Sequence, residues 1–165
     1  MAETRIRWAR AEDAGTIVAL VRALALYENE PLSTVKLTEA DVLRDGFGEP
    51  RRFDCLLAEL DGTPVGFALF FHNYSTWEGR AGLYVEDLFV TEAARGRGLG
   101  RALMAALARV ARERDCRRLD LSVLHWNPTR DFYRRIDMQH MQDWLPYRME
   151  QAAIAALADS APAID

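Results

Sequence analysis

The stretch from Leu83 to Arg112 constrains this chain more than any other. It reads as a strand, a turn, a glycine- and arginine-rich loop and a helix in series. Leu83 to Val90 is rich in β-branched and aromatic residues, as a strand requires. Thr91 to Ala94 makes a short turn, and Arg95-Gly96-Arg97-Gly98-Leu99-Gly100-Arg101 opens a helix. That helix sets Leu99, Leu103, Ala106, Leu107 and Val110 on one face. A strand that feeds a glycine-rich loop at a helix N-terminus favours an anion. Backbone N–H groups there have no intrahelical partner, and the helix dipole attracts negative charge. Gly96, Gly98 and Gly100 let the backbone approach such a ligand, and Arg95, Arg97 and Arg101 offer guanidinium forks that suit phosphate oxygens.

The loop excludes one phosphate binder and leaves another open. A Walker loop needs Lys and then Ser or Thr after its last glycine, and here Arg101-Ala102 follows. A dinucleotide fingerprint needs its glycines directly after the strand, whereas these come several residues later. Asp120, about 20 residues beyond Gly100, stands where a ribose-binding acid would, so a nucleotide binder stays open. The net charge of −4 argues against a nucleic-acid or anionic-membrane surface. Cys55 and Cys116 are too few for a disulfide framework or a zinc site. His72, His125 and His140 are scattered, without metal-ligand spacing, so no metal is expected. No apolar run resembles a signal peptide or a membrane span, which makes a cytoplasmic location the expectation.

The remaining elements follow from periodicity and punctuation. Thr4 to Ala9 is a first strand. Glu12 to Tyr27 is an amphipathic helix that buries Ile17, Leu20, Val21 and Leu24, and Tyr27-Glu28-Asn29-Glu30-Pro31 ends it in an acidic cluster. Thr38-x-x-Asp41 caps a second helix that stops near Gly46. Phe53 to Leu60 and Val65 to His72 form a hairpin around Asp61-Gly62. Asn73 to Arg80 reads as a polar, aromatic connection containing Trp77. Arg118 to Val123 is a strand, Thr129 to Arg135 a short helix, and Glu150 to Ala158 another helix. Two short strands are expected around Met138 to Gln142 and Leu145 to Met149.

The run Arg95-Gly96-x-Gly98-x-Gly100 resembles the acetyl-CoA pyrophosphate loop of the GNAT N-acetyltransferase superfamily, Q/R-x-x-G-x-G/A, filled here by Arg95, Gly98 and Gly100. The order of elements resembles the GNAT fold along nearly the whole chain. That resemblance implies an α/β (α+β) fold: a mixed central sheet flanked by helices, with a splayed and bulged central strand at the cofactor site. It implies one domain over residues 1–165, with about 150–165 as a C-terminal tail. Leu37-Thr38-Glu39, Asp45-Gly46-Phe47-Gly48, Tyr84-Val85-Glu86-Asp87-Leu88-Phe89-Val90, Trp126-Asn127 and Phe132-Tyr133-Arg134-Arg135 resemble the spermidine/spermine (diamine) N-acetyltransferase branch and its bacterial relatives. Two departures stand out. The segment from Asn127 to Phe132 is one residue shorter than the family pattern. Asp137 stands where a glycine normally caps the last helix in a left-handed conformation.

The resemblance implies direct transfer of acetyl from acetyl-CoA, as co-substrate, to a small primary amine: a diamine, polyamine or lysine-like acceptor. Backbone amides of Leu88, Phe89 and Val90 would hold the pantetheine arm. Residues Arg95, Gly96, Arg97, Gly98, Leu99, Gly100 and Arg101 would hold the pyrophosphate, and Asn127 would touch the cofactor. Adjacent carboxylates in a central strand are costly to bury unless paired, and strand alternation sends Glu86 and Asp87 to opposite faces. Glu86 would face the acceptor cation and help remove its proton; pairing with a nearby arginine is the other reading of either carboxylate. Tyr27, Glu28, Trp77 and Asp87 would line the acceptor site, carboxylates and aromatic faces being what an ammonium prefers. A solvated helix end and a rim aromatic are the plainer readings of Glu28 and Trp77. Tyr133 would protonate the departing thiolate, unless it is a core tyrosine beside Phe132. The family implies a homodimer. Acetylation of an aminoglycoside or a protein N-terminus, and a non-catalytic CoA sensor, are the alternatives.

Overall fold

A computed structural model describes residues 3–163. They fall into two compact units that divide between Ser122 and Val123. The first unit carries a five-stranded sheet, β1 (Thr4–Trp8), β2 (Asp54–Leu60), β3 (Thr63–Ser75), β4 (Arg80–Val90) and β5 (Leu119–Leu121), ordered as numbered. β1 to β4 are successively antiparallel, and β5 lies parallel to β4. The sheet is therefore mixed, as expected.

Period-two alternation divides the first unit. Cys55, Leu57, Phe67, Leu69 and Phe89 pack with Ile17, Val18 and Leu20 of α1 (Ala14–Tyr27) and Val42 of α2 (Glu39–Phe47). Each large apolar side chain so buried contributes about 1.5–3 kcal/mol. α3 (Leu99–Glu113) buries Leu99, Leu103, Met104, Leu107 and Val110 on a separate stripe. Just past its end, the Arg114 guanidinium lies 5.7 Å from the Trp8 ring centroid and 5.8 Å from that of Phe70, and donates to Asp54 Oδ2 at 2.7 Å.

The caps follow the sequence closely. Thr38 and Asp41 form the expected box: the Asp41 N–H donates to Thr38 Oγ1 at 3.2 Å and the Thr38 N–H to Asp41 Oδ2 at 3.0 Å. Ahead of α1, Arg7 ties three segments together. It donates through both terminal nitrogens to Asp13, at 2.7 and 2.9 Å, and through Nε to Glu59 at 2.6 Å. Both carboxylates are buried, and the Arg7 guanidinium holds the Asp13 carboxyl below its usual range.

Two expectations are corrected. The connection read from Asn73 to Arg80 is half strand: β3 continues to Ser75, β4 begins at Arg80, and residues 76–79 turn. His72, Asn73 and Tyr74 alternate in exposure, a period-two pattern that their polar character disguises. The two strands expected between Met138 and Met149 are absent; residues 138–150 form no strand or helix. Met138 to Gln142 lacks alternation, and Pro146 cannot donate to a ladder. No helix among the described residues is long and apolar enough to cross a membrane.

Candidate active site

The site begins with a slip in strand register. Leu69 of β3 pairs with Asp87 of β4, but the next residue, Phe70, pairs with Val85. Glu86 is therefore the extra residue of a β-bulge. Upstream of it, Val85 shares a face with Phe70; downstream, Asp87 shares a face with Leu69, beside the α1 core. Regular alternation is therefore broken between Val85 and Asp87, which fall on opposite faces with Glu86 as the surplus residue between them. Glu86 is exposed and Asp87 half-buried. Burial, then the neighbouring charges of Glu86 and Glu28, push the Asp87 carboxyl up to about 6. Glu28, which caps the end of α1, is raised as well, by burial and by Glu30. A carboxyl raised toward neutrality thus lies near two further acidic side chains, Glu28 and Glu86.

β4 and β5 pair only from Leu83–Leu119 to Val85–Leu121. Their ladder ends where the bulge begins, so residues 86–90 of β4 leave the parallel partner at that edge. Thr91 donates its N–H to the Val65 carbonyl at 2.8 Å, and Glu92–Ala94 make one 3₁₀ turn. Gly96 and Gly98 then take φ of +76° and +78°, a left-handed conformation that side chains resist. Gly98 is the N-cap of α3, and the helical ladder starts with the Ala102 N–H on the Gly98 carbonyl. The N–H groups of Leu99, Gly100 and Arg101 precede that ladder. Among the described residues, no hydrogen bond or ion pair engages the side chains of Arg97 or Arg101, and both are exposed. These features fit a phosphate-bearing ligand.

Arg95 is differently placed. Its guanidinium carbon lies 4.2 Å from the Tyr27 ring centroid and 5.7 Å from that of Phe89, and its Nε donates to the Val90 carbonyl at 3.0 Å. Trp77 sits in the hairpin turn, 84% exposed, with the length of β4 between it and Asp87, about 20 Å of strand. Asp120, the candidate ribose acid, accepts from Asn73 Nδ2 at 3.2 Å. No group of three His, Cys, Asp or Glu side chains able to hold a metal occurs among the described residues.

The second unit holds the other two expected residues. Asn127 is buried, and its Oδ1 accepts from the Thr129 N–H at 2.9 Å and the Thr129 hydroxyl at 2.8 Å, ordering the turn into α4 (Arg130–Arg135). Tyr133, half-buried on α4, meets Phe132 edge-on at 5.3 Å. Asp137 adopts a φ of +62°, the left-handed conformation expected at the position of the usual glycine. The N–H groups of Met138 and Asp137 donate to the carbonyls of Tyr133 and Arg134, which completes a Schellman cap.

The model of the acetyltransferase (GNAT) family matches residues 23–138. The chain belongs to that family. The acetyltransferase is 39% identical to thialysine N-epsilon-acetyltransferase of Mus musculus, across 96% of this chain and 99% of that one. It is 33% identical to spermidine/spermine N(1)-acetyltransferase-like protein 1 of Homo sapiens, across 93% of this chain and 24% of that longer one. Among solved structures, an integron cassette protein from the mobile metagenome of V. cholerae superimposes with a TM-score of 0.78 at 26% identity, covering 95% of this chain and 98% of that one. The diamine acetyltransferase resemblance and the mixed-sheet fold both hold, and the acetyltransferase is an N-acetyltransferase.

In the acetyltransferase, one unit brings together Tyr27, Glu28, Glu86, Asp87, residues 88–90 and the 95–101 loop. Sequence reasoning missed the emphasis on Asp87 and the aromatic engagement of Arg95. Both depend on contacts between segments distant in the chain. The one available signal was the pair of adjacent carboxylates, which a regular strand accommodates poorly.

Proposed function

We propose that this enzyme transfers acetyl from acetyl-CoA directly to the primary amine of a small diamine, polyamine or lysine-like acceptor. The observation that carries this reading is Asp87, half-buried at the bulge with a carboxyl near 6, beside the carboxylates of Glu28 and Glu86. An ammonium acceptor gains from that negative field, and Asp87 is poised to take its proton. The mouse relative's name, which gives thialysine as its acceptor, and the human relative's, which marks a likeness to spermidine/spermine N(1)-acetyltransferase, support the same class.

Acetyl-CoA supplies the activated acetyl group as a thioester. The N–H groups ahead of the α3 ladder, the open backbone at Gly98 and the side chains of Arg97 and Arg101 suit its phosphates. The β4 edge at Leu88, Phe89 and Val90, free of its parallel partner beyond Val85, suits an amide-bearing arm. Glu28 and Glu86 orient the acceptor, Asp87 receives its proton at the carboxylate, and the Tyr133 hydroxyl gives a proton to the leaving thiolate. Asn127 belongs to this reading as a cofactor-lining residue, whereas Trp77, a strand's length from Asp87, lies outside the acceptor cluster around it. The chain acts as one domain, in the cytoplasm, as a homodimer. Support for the dimer is the run of exposed apolar side chains at Leu145, Tyr147, Met149, Ile154 and Leu157 in the second unit.

The testing experiment is thiol release from acetyl-CoA across a panel of amines. Diamines and lysine-like amines should turn over fastest, and Asp87→Asn should abolish most of that turnover. Preference for an aminoglycoside or a peptide N-terminus would overturn the acceptor assignment. Binding without turnover on every amine would favour a sensor.

A further inference from the structure

We infer that Arg95 is a positioning residue that locks the cofactor loop to the acceptor side of the site, rather than a ligand of the pyrophosphate. Its Nε–H donates back to the carbonyl of Val90, five residues earlier, closing the 91–95 turn on itself. Its planar head covers the Tyr27 ring at 4.2 Å and nears Phe89, whose own ring is 6.1 Å from that of Tyr27. One side chain therefore joins three places: the last residues of β4, the end of α1 next to Glu28, and the start of the glycine loop. A guanidinium that is stacked and hydrogen-bonded at once has its orientation set, and a lysine would reproduce the charge but not the plane.

Position gives this contact its importance. Immediately after Arg95 come Gly96 and Gly98, the two left-handed joints of the loop. Glycine joints swing easily unless the chain entering them is fixed. Thr91 anchors the start of the turn to β3, and Arg95 anchors its end. The stacked cation also occupies a face of Tyr27. This revises the part of Tyr27: it carries the clamp, and an acceptor ammonium that sought that face would meet a like charge. Cation recognition is left to the carboxylates of Glu28, Glu86 and Asp87.

This inference rests on the reading that residues 88–90 and the loop hold acetyl-CoA. The test compares two donors, acetyl-CoA and S-acetylpantetheine, which keeps the thioester arm but lacks pyrophosphate and nucleotide. Arg95→Ala should lower kcat/KM by about tenfold or more with both donors, to a similar extent, because it misplaces the strand end and the loop together. Arg97→Ala should penalise acetyl-CoA alone. Arg95→Lys should recover part of the loss, and Tyr27→Leu should reproduce it, with the Tyr27→Leu/Arg95→Ala double variant no worse than either single one. If Arg95→Ala fails to fold, Arg95→Gln, which keeps a donor for Val90 but no cation for Tyr27, carries the same comparison. A loss confined to acetyl-CoA would make Arg95 a phosphate ligand and overturn the inference, as would full activity of the Arg95 variants with both donors. Gly98→Val reports on the underlying reading separately: undiminished affinity for acetyl-CoA there would remove the loop assignment, whatever Arg95 does.

Discussion

At the scale of single residues, the site sets stability against function at Asp87. A carboxyl raised to about 6 in the folded chain, against about 3.9 unfolded, binds its proton more tightly when folded. Its contribution to stability therefore grows as pH falls from above 6 toward 4, and at neutral pH its ionisation costs folding energy. Asp87→Asn should raise stability by about 1 kcal/mol at pH 7.5, read as a higher Tm, while lowering kcat/KM by about 10²-fold. With the carboxylate as the proposed proton acceptor, kcat/KM of the parent should gain an acid limb near pH 6. Glu86→Gln removes a like charge and should move that limb to lower pH. A limb that stays in place in both variants would take the proton-acceptor role from Asp87. Tyr133→Phe deletes only the hydroxyl, and kcat should fall by about 10²-fold with acetyl-CoA affinity unchanged if that group protonates the thiolate. An unaltered kcat would return Tyr133 to its packing against Phe132.

At the scale of elements, the features legible in sequence were those set by near neighbours. The Thr38–Asp41 box and the left-handed Asp137 were readable because both partners lie within a turn of each other. The strand–loop–helix of 83–112 was readable because three periodicities change in sequence there. The bulge was not, because it is defined by Leu69 and Phe70 on another strand. The strands expected between Met138 and Met149 failed for a similar reason: short apolar runs become strands only where an edge accepts them. The Arg7 cluster is likewise nonlocal, and it predicts a measurable cost. Asp13→Asn leaves Arg7 half-partnered in a buried place and should destabilise the fold by about 2–3 kcal/mol. Since the folded Asp13 carboxyl is depressed, its share of stability is fully present above the unfolded value near 3.9 and is lost as pH falls through the lower folded one. Urea midpoints for parent and variant should therefore converge in acid, and midpoints that stay equally separated would refute the linkage.

At the scale of the whole molecule, the dimer reading predicts that sedimentation velocity gives twice the monomer mass, and that Leu145→Glu shifts the distribution toward monomer. A monomeric parent at micromolar concentration would dismiss it. A further property follows from the slip at Glu86. β4 runs in two phases, one on each side of a single surplus residue. Substituting that residue changes a side chain, whereas deleting it would place Asp87 directly after Val85, still opposite Leu69, and join the two phases into one regular ladder. Phe89 would keep the core it shares with Ile17 and Phe67, and Asp87 would keep its place opposite Leu69. Length changes within this strand are thus subject to an odd–even rule. Loss of one residue at the bulge keeps the facing of both halves, whereas loss of two inverts the downstream half. The reading frame of the sheet, as much as any side chain in it, is what a lineage of such enzymes has to keep.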